Sequence, residues 1–250
     1  METKRKRTIY EIVVKRPADF LCALLAIILL SPVILFVAFL VRIKHGKGVI
    51  FKQKRVGLGR KVFWFYKFRS MSNKRDANGE LLPDRDRVTK FGKFIRKTSL
   101  DELPQLFNIL KGNMSFIGPR PKDVKECVFF NEEQCKRFLV RPGVSGLAQV
   151  NGRNAINFEK VVEFDIKYVK KITFWRDVKI FFKTFFVVFK RKNIDADISP
   201  KDTHHLCDYY NDLLLRRGDI SQEVYDTRIE FSKTLNVKDI MPSSDEQAAS

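Results

Sequence analysis

The chain has 250 residues, 44% of them hydrophobic, and a formal net charge of +19. That length suits one domain with an appendage, and the apolar share is enough for a packed core, which excludes a fibrous or wholly disordered chain. The charge is uneven: residues 201–250 hold 6 Lys/Arg against 10 Asp/Glu, a net of −4, which leaves +23 on residues 1–200. Such a surface calls for an anionic partner, whether acidic lipid, phosphorylated substrate or nucleic acid. The four cysteines (Cys22, Cys127, Cys135 and Cys207) form no CxxC pair, which fits reduced structural thiols and not a zinc site.

The first element is Phe20–Val41, 22 residues without a charge. Ser31-Pro32 lies at its middle, and Pro32 has no N–H for the carbonyl of Ile28. Each arm of about 11 residues rises about 16 Å, half of a hydrocarbon core of about 30 Å. Basic residues flank both ends: Lys4 to Arg7, Lys15 and Arg16 before, Arg42, Lys44 and Lys47 after. Bend and charge favour a re-entrant helix-break-helix over about residues 17–43, with both ends on the cytoplasmic side. A kinked spanning helix is the alternative.

Val49–Phe51 and Val62–Tyr66 read as strands of a small hairpin around the basic turn Gln53–Arg60. Val88–Lys97 has apolar residues at helical spacing among lysines, as an interfacial helix would. Asp123–Leu139 reads as one helix, and Asn157–Val169 as another. Arg141–Asn154 is a glycine-rich loop with Arg141 and Arg153; it matches neither phosphate-loop fingerprint, yet its amides and guanidinium groups suit a diphosphate. Arg176–Lys192 pairs a phenylalanine face with lysines, either a helix in the headgroup layer or a core helix with a basic outer side. His205–Arg217, Gly218 and Ser221–Leu235 read as a helical hairpin.

Asp101 and Glu102 stand out, in Thr98-Ser99-Leu100-Asp101-Glu102-Leu103-Pro104-Gln105. The structural reading makes Asp101 a helix N-cap with Pro104 at the third helical position, or makes Ser99 the cap with Glu102 completing a capping box. The functional reading uses the pair chemically: one carboxylate attacks phosphorus and the other helps hold Mg2+. Arg96, Arg120, Arg141 and Arg153 would neutralise phosphate, Arg120 held rigidly between Pro119 and Pro121.

Several motifs then occur in a fixed order: Ser31-Pro32, FKQKRVG, KFRSM, TSLDELPQLFNILKGNMSFIGPRP and RPGVSGLAQVNGR. In this order they resemble the small monotopic phosphoglycosyl transferases, or bacterial sugar transferases, over about residues 8–195. The likeness is greatest to the minimal catalytic type that starts N-glycan assembly. The resemblance implies transfer of a sugar 1-phosphate from a UDP-sugar to undecaprenyl phosphate, with Mg2+, at the cytoplasmic leaflet of the inner membrane. The products would be undecaprenyl-diphospho-sugar, passed to downstream glycosyltransferases, and UMP. It implies a ping-pong mechanism with Asp101 as nucleophile and Glu102 as its partner, engaged with the metal. Arg96 and Arg120 would contact phosphate or substrate, Arg153 the nucleotide end, and Ser31-Pro32 would break the membrane helix. Leu147 departs from the aromatic residue that relatives often carry. The multi-span N-terminal region of larger relatives is missing, so a catalytic unit alone is expected.

The expected fold is therefore α+β and mostly helical: a re-entrant membrane segment, interfacial helices, a small β-hairpin and a C-terminal helical hairpin. Residues 1–200 would form the catalytic domain, 201–236 the hairpin and 237–250 a disordered tail. A non-enzymatic membrane-docked scaffold is the competing reading of the charge and the aromatic-basic helices. Nucleic-acid binding has only the charge behind it, with no recognition motif.

Overall fold

The computed structural model describes residues 5–152, 156–190, 211 and 213–241. The architecture is mostly helical α+β. Arg16–His45 forms one α-helix of 30 residues, α1, with proline in its first turn, where no N–H is needed. The break expected at Ser31-Pro32 does not interrupt it. Pro32 withdraws a donor from the carbonyl of Ile28, and the Ser31 hydroxyl donates to that oxygen instead, at 2.8 Å. Gly46, at φ +74°, ends the helix, and its N–H returns to Arg42 O.

One side of α1 lies along the folded body for its whole length. Ala23, Ala26 and Ile27 pack on Phe63, Phe65, Leu106 and Ile109. Further on, Ile34, Val37, Ala38 and Val41 pack on Phe68, Ile95 and Leu103. These positions recur at three- and four-residue spacing, as one helix face requires. The other side, with Leu21, Leu25, Ile28, Leu29, Leu35, Phe36 and Phe39, is exposed.

Strands β1 (Ile50–Val56) and β2 (Val62–Phe68) form an antiparallel hairpin with Ile50 opposite Phe68 and Val56 opposite Val62. β1 runs further than expected and takes in Gln53-Lys54-Arg55, so the turn shrinks to Gly57–Lys61, where Gly59 and Arg60 have positive φ. Helix α2 (Lys90–Lys97) starts at Thr89, whose side chain accepts the Gly92 N–H. After a tight turn comes α3 (Gln105–Leu110). Two three-residue strands that the sequence did not announce, β3 (Ser115–Ile117) and β4 (Gly143–Ser145), pair in parallel. The helix expected over 123–139 is divided into short turns. Asn131 and Gln134 form a capping box that restarts the chain, and Phe129 and Phe130 turn inward before it.

Helix α4 (Phe158–Lys170), capped by Asn157, and α5 (Phe174–Lys190) follow as expected. Phe181, Phe182, Phe185 and Phe186 of α5 are exposed, so the bulky aromatic face points out of the fold and α5 is not a core helix. Beyond Gly218, α6 (Gln222–Thr234) packs Tyr225 and Ile229 against the main core with Val62, Phe130 and Phe158. Where the sequence suggests a tail from residue 237, the chain instead adds to the hairpin. Val62 N–H donates to Asp239 O and Lys238 N–H to Val62 O, and Met241 is fully buried. Residues 242–250 lie outside those described.

Helix α3 is tied to β2 by one side chain. Asn108 is fully buried; its Nδ2 donates to Trp64 O at 2.6 Å and its Oδ1 accepts the Tyr66 N–H at 3.1 Å. Replacing it leaves two part-buried backbone groups without their partner. Asn108→Leu is expected to destabilise the protein by about 2–4 kcal/mol, read as a lowered melting temperature in detergent.

Candidate active site

The carboxylate turn is placed by α2. A Cβ on Gly92 would lie 1.9 Å from Ser70 O, so only glycine lets the helix come this close. The approach brings Arg96 Nε to Ser70 Oγ at 2.7 Å. Ser99 then adopts the left-handed conformation, φ 58° and ψ 17°, which costs a serine about 1 kcal/mol. A 3-10 turn, Leu100–Glu102, follows, and Pro104 stands at the N-cap of α3. Neither capping reading survives: Ser99 makes no side-chain cap bond, Asp101 lies inside the turn, and Pro104 is not at a third helical position.

Both carboxylates instead face cations from elsewhere in the chain. Lys67, near the end of β2, donates to Glu102 Oε1 at 3.1 Å and stands 3.7 Å from Asp101 Oδ2. Arg120 Nη2 donates to the same Glu102 oxygen at 2.5 Å. Behind it, the almost wholly buried Arg137 donates to Arg120 O at 2.7 Å and pairs with Asp165 at 2.7 Å, which fixes the backbone of the Pro119-Arg120-Pro121 segment.

The pair is electrostatically unequal. Burial pushes the Asp101 carboxyl above its ordinary range; Lys67 opposes this and Glu102 reinforces it. Burial acts on Glu102 in the same direction, but Arg120 and Lys67 together outweigh it and hold that carboxyl well below the usual range. Glu102 in turn raises the Arg120 guanidinium. The signs for stability are opposite. The contribution of Glu102 is present at neutral pH and is lost as pH falls below the carboxylate range. Ionised Asp101 costs stability at neutral pH, and protonation relieves it. A pair of titratable groups driven apart in this way marks a division of roles.

The other expected site residues fall into three groups. Arg96 acts on Asp101 through its charge. Arg141 does not join the pair; its Nε donates to Gly112 O at 3.0 Å, and its charged neighbours are Arg16, Arg7 and Asp19. Arg153 lies outside the described residues. Two glycines of the 141–154 loop, Gly143 and Gly146, serve backbone contact. A Cβ on Gly143 would meet Gly118 N at 2.1 Å, and one on Gly146 would meet Gly118 O at 2.2 Å. Lys67 was missed as a site residue, although it sits in the KFRSM motif.

Asp101 and Glu102 are also the donors that a divalent cation would find. Among the described residues no group of three or more His, Cys, Asp or Glu offers a complete protein cage. Two carboxylates do fit Mg2+ that arrives with phosphates, because such an ion takes one or two protein carboxylates and completes its shell with phosphate and water. Lys67 and Arg120 stand against the pair as counter-charges.

A family model described as bacterial sugar transferase matches residues 10–191. Sugar transferase EpsL of Bacillus subtilis is 48% identical over 168 residues, 67% of this chain and 83% of that protein. The undecaprenyl-phosphate galactose phosphotransferase of Salmonella typhimurium is 41% identical over 194 residues, 71% of this chain. The UDP-glucose:undecaprenyl-phosphate glucose-1-phosphate transferase of Escherichia coli is 39% identical over 188 residues, also 71% of this chain. The chain spans 40% of the length of each of these last two.

Removing Arg120 leaves the partly buried Glu102 with Lys67 as its remaining ion-pair partner among the described contacts. Arg120→Met is expected to cost about 2–3 kcal/mol at pH 7. The cost should shrink towards pH 4, because Glu102 in the variant can take a proton. Urea unfolding in detergent at the two pH values measures both.

Proposed function

We propose, since the chain belongs to the bacterial sugar transferase family, that it moves a sugar 1-phosphate from a UDP-sugar to undecaprenyl phosphate in two steps through Asp101. The observation that carries the assignment is the inequality of the two carboxylates. Glu102 is held by Arg120 and Lys67, whereas Asp101 lies beside Lys67 at 3.7 Å with a raised pKa. A carboxylate of raised basicity is the better nucleophile once ionised.

In the first step Asp101 attacks the phosphorus that bears the sugar. A phosphorus–oxygen bond to Asp101 forms, the bond to the UMP oxygen breaks, and UMP leaves. In the second step the phosphate oxygen of undecaprenyl phosphate attacks the same phosphorus and releases Asp101, giving the undecaprenyl-diphospho-sugar. Lys67 and Arg120 stand beside the pair and would face phosphate charge as it shifts. Glu102 orients both cations. Mg2+, held by Asp101 and Glu102 when bound with the diphosphate, would neutralise phosphate charge.

The lipid acceptor accords with α1, which among the described residues is the helix long and apolar enough to cross a membrane. Its two ends are tied to the same folded body. Arg16 donates to Ile109 O and Leu110 O at the start, and Arg69 donates to the carbonyls of His45, Gly46 and Lys47 at the end. This supports a re-entrant seat in one leaflet, since a spanning helix would carry its ends to opposite faces.

Incubation with a UDP-sugar, undecaprenyl phosphate and Mg2+ should release UMP, and a panel of UDP-glucose, UDP-galactose and UDP-N-acetylgalactosamine identifies the donor. Asp101→Asn is expected to lower turnover about 10³-fold or more; full activity in that variant removes Asp101 as nucleophile. The rate should fall with decreasing pH at a higher pH than an ordinary aspartate of about 3.9 dictates. In Lys67→Met that limb should move higher still, because Lys67 opposes the rise. Tags at both termini should escape labelling from the periplasm; labelling of one terminus alone points to a spanning helix.

A further inference from the structure

Arg7, Arg16 and Arg141 line one small cleft at the foot of α1, of about 40 Å3. We propose that these three guanidinium groups hold the phosphate head of a bilayer phospholipid, at a site separate from Asp101 and Glu102. The proposal is independent of the reaction proposed above.

The charge in the cleft is only partly compensated. Lys15, which also lines it, is matched by Asp177 at 2.6 Å, and Glu11 is matched by Arg5 at 2.6 Å. Asp19 is the remaining carboxylate, and its Oδ1 already accepts the Phe116 N–H at 3.1 Å. Among the described residues none of the three arginines has a carboxylate partner within ion-pair distance. Three guanidinium groups therefore face one carboxylate. Two are fixed in place: Arg16 donates to Ile109 O at 2.8 Å and Leu110 O at 3.0 Å, and Arg141 to Gly112 O. Gly112, at φ +82°, makes room for this; a Cβ there would stand 3.0 Å from Arg16 Nη2. Burial, then Arg16 and Arg7, depress the Arg141 guanidinium, a penalty that a bound anion reverses. Fixed guanidinium forks suit the oxygens of a phosphate.

The surroundings point to an amphiphile and not to a free ion. Arg16 is the first residue of α1, with its guanidinium 5.9 Å from the Phe20 ring. Leu21, Leu24 and Leu25 continue an exposed apolar surface from there. One helical turn, about 5 Å, thus separates the charged cleft from a surface fit for acyl chains. Tyr10 packs against Phe174 with ring centroids 6.0 Å apart, and the neighbouring Trp175 is 77% exposed. Aromatic residues with polar tips settle at the headgroup level. The reacting lipid is a poorer match. The charged groups that act on Asp101 are Lys67, Glu102, Arg96 and Arg120; those that act on Arg141 are Arg16, Arg7 and Asp19; the two sets share no member.

The test is native mass spectrometry of the full chain in dodecylmaltoside, titrated separately with phosphatidylglycerol, undecaprenyl phosphate and inorganic phosphate. One phosphatidylglycerol per chain should be retained, and inorganic phosphate at the same concentration should not. Arg7→Gln should weaken phosphatidylglycerol binding about tenfold, and the double variant with Arg141→Gln further. Arg7 is exposed and holds no backbone carbonyl among the described residues, so its variant should melt as the parent does and report on the site alone. Unchanged phosphatidylglycerol binding in both variants overturns the proposal. Equal retention of inorganic phosphate overturns it in favour of a free-anion site. One-for-one displacement by undecaprenyl phosphate, with the same dependence on Arg7, overturns it in favour of an acceptor site.

Discussion

One partly buried anion, Glu102, organises the centre of this molecule. Glu102 accepts from Arg120 and Lys67 at one oxygen, and so joins three segments distant in sequence: the end of β2, the turn before α3 and the proline-flanked Arg120. Each of these charges alone would be costly to bury; together they are tolerable, and removal of any one leaves the others exposed to that cost. The supports are built to match. Asn108 locks α3 to β2, Arg137 and Asp165 lock the carbonyl of Arg120, and Gly92 lets α2 bring Arg96 to Ser70. Asp101 acquires its character from this arrangement: it is buried beside a committed anion and shares Lys67 with it.

The apolar helix is a wall of the domain as much as a lipid element. Its inner side supplies Ala23, Val37 and Val41 to the core, packed against the same β2 and α3 that carry Lys67 and follow Glu102. A second apolar surface, the aromatic face of α5, is tied to it through one buried carboxylate. Asp177 accepts from Tyr10 at 2.9 Å, from Lys15 at 2.6 Å and from Tyr168 at 2.7 Å. The start of α5 is thereby fixed to the start of α1. Two surfaces that water would leave uncovered are thus held in register, which is what a protein seated in a lipid interface requires.

The parts legible in the sequence were those with a local cause. Short apolar runs around a basic turn gave the hairpin, helical spacing gave α2, and the helices expected from Asn157 and Ser221 do start there, each capped by that residue. The carboxylate pair was legible as chemistry because the motifs around it resemble a known family. The rest depended on contacts that spacing does not encode. Lys67 looks like any lysine in an aromatic strand until Glu102, 35 positions on, is folded against it. The strands β3 and β4 are too short for alternation to show, and Gly143 and Gly146 resemble parts of a ligand loop although they serve backbone contact. The interruption expected at Ser31-Pro32 is absent for a reason one residue away, because the Ser31 hydroxyl supplies the Ile28 carbonyl with the donor that proline lacks.

The C-terminal segment shows how far the demands of the site reach. It lies beyond the region that the family model matches, yet residues 238–241 bond to residues 60–62 and bury Met241 in the main core. Those bonds hold the start of β2, whose far end presents Lys67. The strand is thus held by β1 along its length, by Asn108 at Trp64 and Tyr66, and by the C-terminal residues at Val62. A lysine side chain is long and loses much freedom when it is fixed. Holding its backbone from three directions confines that loss to the side chain, and leaves Lys67 placed to serve two carboxylates at once.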